Sequence, residues 1–250
     1  MFTPEEIKAN YERFMCYIDE HISEPRKGKL TAFYDLYADR ISMMPASYKE
    51  HFHNAFPGGY IDHVMRVIDI ALNLKSVWAK WGANANYTDE ELVFAAMNHD
   101  LGKMGTAEHE MYLPNDSEWH RKNQGVIYKI NPEPDFMPMS DRSLFLLQQH
   151  GIECSINEWI AIKTHDGLYE DGNKAYLIYR EAGAALKTSL PILLHQADSM
   201  AARIEFEKWT NSNQSVRTNI PKKKVEPKEK NVGTVEELND IFGNLFNPSK

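Results

Sequence analysis

Cysteine is scarce in this chain, with Cys16 and Cys154 the only two among 250 residues. Two thiols build no disulfide framework, which predicts reduced cysteines and a cytoplasmic setting. Long apolar runs are missing too. No stretch approaches the roughly 20 residues that a membrane-spanning helix needs. The first residues, Met-Phe-Thr-Pro-Glu-Glu, lack the pattern of a signal peptide. Strand-like alternation is not sustained over any long window, and no internal repeat is visible. Basic charge is not in excess: 28 basic residues face 36 acidic ones, for a net charge of −8. That balance argues against broad, non-specific nucleic-acid binding, while leaving room for a local basic pocket that takes phosphate.

What is present is an ordinary globular composition, 42% hydrophobic and 26% charged, in a chain long enough for one domain with a substantial core. Helix signals recur along it. Thr3-Pro4-Glu5-Glu6 combines an N-cap, a proline at the first helical position and a glutamate three residues after the cap. Ile7, Tyr11, Phe14, Ile18 and Ile22 then follow at helical spacing. Leu30 to Ile41 predicts a second helix after Pro25, and Pro45 to Gly59 a connector. A third helix is predicted from about Tyr60 to Trp78. A fourth starts at the capping box Thr88-Glu91 and ends at His99-Asp100. Gly105 to Pro138 reads as a long loop with short helices. Ser140 opens a helix ending near His150, the capping box Ser155-Glu158 opens one ending near His165, and a last core helix is predicted from Leu190 to Trp209. The body should therefore be all-α.

After position 210 the composition changes. Residues 211–233 are polar and lysine-rich, and predict a flexible linker. Residues 234–250 predict a short amphipathic segment carrying Leu238, Ile241, Phe242, Leu245 and Phe246. Such a segment suits a protein partner's groove, or self-association by folding back on its own body or a sister subunit.

Ten histidines carry the functional signal. His63 lies inside the third predicted helix. His99-Asp100, His150 and His165 stand where helices end, and Asp198 sits in the middle of an apolar helix. A single histidine at a helix C-terminus is usually a favourable partner of the helix dipole. Asp198 within Leu-Leu-His-Gln-Ala-Asp-Ser-Met-Ala-Ala is harder to dismiss, because a carboxylate facing a core needs a cation or several donors. His63, His99, Asp100, His150, His165 and Asp198 together form a candidate divalent-metal site in which different helices each aim a ligand inward. Imidazoles with carboxylates suit Mn, Fe, Co, Ni or Zn; Mg prefers oxygen ligands. Lys103, one turn beyond His99-Asp100, is either a phosphate contact or a solvent-facing lysine. His120-Arg121-Lys122 and Arg142 read more readily as solvated surface.

The order His63, His99-Asp100, Asp198 resembles the HD-domain metal-dependent phosphohydrolase superfamily. The segment from His53 through Pro57-Gly58-Gly59 to His63 is similar to the one before the first ligand in the HD domain of YhaM-type 3′–5′ exoribonucleases. His165-Asp166-Gly167 resembles their His-His-Gly segment, with Asp166 in place of the second histidine. The resemblance covers about residues 45–207. It implies an HD-type helical bundle over residues 1–210, with N-terminal helices 1–44 packed on it. It implies that His63, His99, Asp100 and Asp198 hold one metal, and that His150 and His165 hold a second with Asp100 bridging. The implied activity is metal-assisted hydrolysis of a phosphoester or phosphodiester in a nucleotide, cyclic nucleotide or oligonucleotide end. Asp100 would orient the centre, and His53, Lys103 or Asp166 would protonate the leaving group or hold the phosphate. The same ligand set also resembles HD-type di-iron oxygenases, and a non-catalytic HD-fold binding module is a third reading.

Overall fold

The computed structural model of the chain describes residues 2–217 apart from Asn84, Ala182 and Ala184. The chain divides into two units, Met1–Ser212 and Asn213–Lys250. The predicted amphipathic segment, and the linker from residue 218 onward, lie outside the described residues.

The first unit is all-α. The helices of the described residues are α1 (Pro4–His21), α2 (Arg26–Leu36), α3 (Ala38–Met43), α4 (Gly59–Lys80), α5 (Asp89–Asn98), α6 (Glu118–Gln124), α7 (Met139–Gln149), α8 (Ile156–Thr164), α9 (Lys174–Leu177) and α10 (Leu190–Arg217). The three capping boxes predicted from sequence are all formed, at Thr3-Glu6, Thr88-Glu91 and Ser155-Glu158. Each satisfies backbone N–H groups that the first helical turn leaves open. α10 continues to Arg217, so the first seven positions of the predicted linker are helical. The predicted second helix is broken at Tyr37, whose backbone leaves the helical region at φ −110° and ψ 18°.

The long loop holds one feature that periodicity did not predict. Strands β1 (Tyr112–Pro114) and β2 (Tyr128–Ile130) pair antiparallel, with Tyr112 opposite Ile130 and Pro114 opposite Tyr128. Three residues per strand are too few to display an alternating pattern.

α4 and α5 are central. α5 packs on α4 and α8, α7 packs on α8, and α1 packs on α4 and α5. Fully buried residues including Phe14, Tyr34, Ile68, Leu92, Phe94 and Leu193 fill the space between them. A charged clamp ties two of these layers together. The Arg26 guanidinium reaches both oxygens of the fully buried Glu158 at 2.7 and 2.8 Å, and Glu90 at 2.6 Å. Burial pushes the Glu158 carboxyl up, so its charge depends on Arg26. No described helix is long and apolar enough to cross a membrane.

Candidate metal centre

The helix ends converge on one point. His63 lies in the second turn of α4, and His99 and Asp100 directly follow α5. His165 directly follows α8, and Asp198 lies in α10. His53 comes from the connector before α4. Lys103 comes from a single 3₁₀ turn, Leu101–Met104, after the His-Asp pair.

Local geometry explains why the chain can turn this way. Gly102 passes so close to α7 that a methyl group there would lie 2.2 Å from the Met139 carbonyl oxygen. The Gly102 N–H donates to the Ser143 hydroxyl at 2.8 Å, and that hydroxyl donates to the His99 carbonyl at 3.0 Å. Upstream, Gly58 caps α4 in the left-handed region at φ 82°. The Pro-Gly-Gly turn thereby brings His53 beside His63, with ring centroids 4.8 Å apart.

The three inner histidines share one orientation. Nδ1 of His99 lies 2.8 Å from the Ala96 carbonyl, and Nδ1 of His165 lies 2.8 Å from the Ile162 carbonyl. Nδ1 of His63 lies 3.2 Å from each oxygen of Glu205, a buried carboxylate also held by Arg66. A carbonyl or ion-paired carboxylate can only accept, so each Nδ1 carries a proton, and in the neutral imidazole each Nε2 presents a lone pair. Those Nε2 atoms converge on two carboxylates. His63 Nε2 is 3.1 Å from Asp198 Oδ1 and 3.8 Å from Asp100 Oδ2. His99 Nε2 is 3.4 Å from Asp100 Oδ2 and 3.7 Å from Asp198 Oδ1. His165 Nε2 is 3.6 Å from the other Asp100 oxygen, Oδ1.

This arrangement could hold a metal ion. Three triads have one ligand atom per residue within 4.8 Å of one another: His53-His63-Asp100, His63-His99-Asp198 and His99-Asp100-His165. Metal–nitrogen and metal–oxygen bonds of about 2.0–2.2 Å leave neighbouring ligand atoms some 3 Å or more apart, the spacing seen here. Nε2 of His63 and of His99 are buried with no hydrogen-bond partner. Two neutral imidazole lone pairs aimed at two carboxylates are a costly arrangement unless a metal ion or a proton on each nitrogen lies between them.

Electrostatics without a metal follow from the same distances. Burial opposes charge on His63, but Glu205 and Asp198 outweigh it and raise its pKa to about 9. Burial likewise opposes charge on His99, yet Asp100 and Asp198 carry it to about 10. Asp100 and Asp198 are buried too, yet Lys103 and His99 hold the first carboxyl well below the usual carboxylate range, and His63 and His99 do the same for the second. Lys103 donates to Asp100 Oδ2 at 2.5 Å and to Nε2 of His53 at 3.4 Å. Burial, reinforced by the Lys103 charge, pushes His53 well below its ordinary pKa, so it is a neutral acceptor.

Of the sequence-predicted ligands, His63, His99, Asp100, His165 and Asp198 come together, while His150 does not. It caps α7 on another face, its ring against Phe33 at 4.8 Å and its Nε2 3.3 Å from the Tyr37 hydroxyl. Tyr37 sits at the break between α2 and α3, and this aromatic nest turns His150 away from Asp100. Asp166 stands at the rim, half-exposed, with Oδ2 3.6 Å from His165 Nε2. Arg142 is buried and donates to the Asp135 carbonyl at 2.7 Å. Residues 120–122 are exposed on α6. Sequence reasoning missed Glu205 and Ser143. Glu205 carried a signal, since it follows Asp198 by seven residues and so shares its helix face. Comparison with protein-family models, with curated proteins and with solved structures returns no match.

Proposed function

We propose that this protein is a metal-dependent phosphohydrolase of the HD type, acting on a phosphoester of a nucleotide. The observation that carries the reading is how Asp100 is shared. One of its oxygens faces His63 and His99, the other faces His165, and a lysine ammonium stands on the same carboxylate. A carboxylate divided in this way suits two cations. His63, His99, Asp198 and one oxygen of Asp100 would hold the first. His165 and the other oxygen would hold the second, with an incomplete ligand set that leaves room for substrate. Paired metals of this kind lower the pKa of water and neutralise charge on a phosphoryl group.

The chain's own residues do the rest. Glu205 and the Ala96 and Ile162 carbonyls hold a proton on each Nδ1 and fix the ring orientations, so each Nε2 is already aimed at the centre. Lys103, positive and largely buried, holds the phosphate oxygens and draws an anionic ester to the centre. His53 is neutral and accepts a hydrogen bond from Lys103, so it serves as a further ligand or hydrogen-bond acceptor and not as the acid. Asp166, at the open edge beside His165, is the candidate group for protonating the leaving oxygen.

Elemental analysis of the purified protein, paired with a phosphoester screen in Mn²⁺ and Co²⁺, tests this reading. Bound divalent metal together with phosphate release is the expected result. Iron with dioxygen uptake and no ester hydrolysis would replace it with the oxygenase reading, and absence of both activities would leave a binding module.

A further inference from the structure

A cavity of about 610 Å³ lies directly beside Lys103, within the range of small-molecule pockets. One wall is the corner between α2 and α3, with Tyr37, Arg40 and Met44. The opposite wall is the β-hairpin. Tyr112 and Pro114 are two residues apart on β1, and Tyr128 is the cross-strand partner of Pro114, so all three project from one face. Lys103 and Met104 also line it, and the same Lys103 ammonium lies 2.5 Å from Asp100. The charge of Lys103 and that of Asp100 are both felt at the Tyr112 hydroxyl. The cavity and the metal centre therefore share a wall, and a ligand anchored at Lys103 can extend between the tyrosines.

The lining states what that extension must be. Three tyrosine rings and four methionines offer aromatic and polarisable surface, the partners a flat π-system prefers. Arg40 is already committed, donating to the Thr106 and Ala107 carbonyls at 2.5 and 3.2 Å and tying down the loop that leads into β1. Among the described lining residues this leaves Lys103 as the one cation directed at the centre, while Asp39 and Glu110 add negative charge. A second phosphate, or a polynucleotide backbone running through the cavity, would meet those carboxylates. A neutral ring would not.

We propose that this cavity holds the planar aromatic ring of a small phosphate monoester, such as a nucleoside monophosphate, with its single phosphate at Lys103 and Asp100. Tyr112 and Tyr128 are then specificity-determining residues. The proposal rests on the hydrolase reading for the phosphate end and on the cavity alone for the ring.

The test uses the full chain with Mn²⁺ and compares hydrolysis of the four ribonucleoside 5′-monophosphates with that of ribose 5-phosphate, the same ester without the ring. At least one nucleotide should exceed ribose 5-phosphate in kcat/KM by about tenfold, the usual size of a ring-stacking contribution. Tyr112→Leu and Tyr128→Leu should each bring that ratio down toward one through KM, while Tyr112→Phe and Tyr128→Phe keep most of it. Circular dichroism and melting identify any variant that fails to fold, and the phenylalanine pair then carries the comparison. Equal kcat/KM with and without the ring, for all four nucleotides, overturns the cavity assignment and leaves the hydrolase reading standing. If no ester is hydrolysed, calorimetric titration with the same nucleotides decides. Binding weakened about tenfold by Tyr112→Leu supports the cavity and ends the hydrolase reading; no binding to the unaltered protein overturns both.

Discussion

Glu205 holds His63 from behind. Both of its carboxylate oxygens lie 3.2 Å from His63 Nδ1, and Arg66 neutralises the carboxylate from the far side. The contact spans 142 residues of sequence and joins α4 to α10. It holds a proton on Nδ1 of His63, and hence leaves Nε2, which faces Asp198, as the nitrogen that gives up its proton to a metal. Outer contacts of this kind orient the ligand and tune its affinity for metal.

Replacing Glu205 should therefore weaken metal binding with every ligand still in place. Glu205→Ala is expected to lower metal affinity by roughly 10–100-fold, and Glu205→Gln, which keeps an acceptor oxygen, by less. Competition titration with a chelating dye measures both. Equal affinity in all three proteins would show that Glu205 only packs.

The two histidines that sequence treats alike should behave differently. His165→Ala is expected to reduce bound metal, because His165 faces Asp100 Oδ1 at 3.6 Å. His150→Ala should leave metal content unchanged, since its ring lies against Phe33 and Tyr37. Its expected effect is a loss of about 1–2 kcal/mol of stability from the aromatic contacts. Metal analysis and urea unfolding of the two variants separate the cases; metal loss in His150→Ala would contradict the placement described above.

Asp100 should be indispensable. Asp100→Ala removes the carboxylate shared by His63, His99, His165 and Lys103, and is expected to abolish metal loading and activity. Full activity in this variant would overturn the assignment of the centre.

Metal and protons should compete. Without metal, His63 and His99 have pKa values raised to about 9 and about 10, so both carry protons at pH 7. Metal binding must displace them, so it should release protons into a weakly buffered solution and tighten as pH rises. Stability of the metal-free protein runs the other way. A folded-state pKa above the unfolded value of about 6.5 gives stabilisation that is complete below that pH and fades as pH climbs through the raised values. The metal-free melting temperature should consequently fall between about pH 7 and pH 10 from this source. A metal affinity independent of pH would exclude protonated imidazoles in the metal-free centre.

The Arg26 clamp offers a test of the fold that is independent of function. Arg26→Ala strands the buried Glu158 carboxylate, and a loss of about 3 kcal/mol is expected in urea unfolding. Adding Glu158→Gln should recover part of it. A loss below about 1 kcal/mol would mean that the pair behaves as a surface salt bridge.

Local chemistry was legible along the chain because it depends on neighbours. The capping boxes at Thr3, Thr88 and Ser155, the helices that follow them and the all-α class rest on contacts within a few residues. So does the presence of His99-Asp100 and His165-Asp166 just beyond helix ends. The hairpin at Tyr112 and Tyr128 was not legible, since three-residue strands carry no period and their pairing is set by the loop between them.

Residue types and spacing determined which side chains are capable of binding a metal, but tertiary packing decided which of them meet. His150 and His165 both follow a helix, yet Phe33 and Tyr37 draw one away while the packing of α8 on α5 turns the other toward Asp100. Glu205 became a partner of His63 only because α10 meets α4 at this point. A helix end has a direction in space only after the helix is packed. The direction of each imidazole at this centre therefore comes from contacts between elements far apart in sequence.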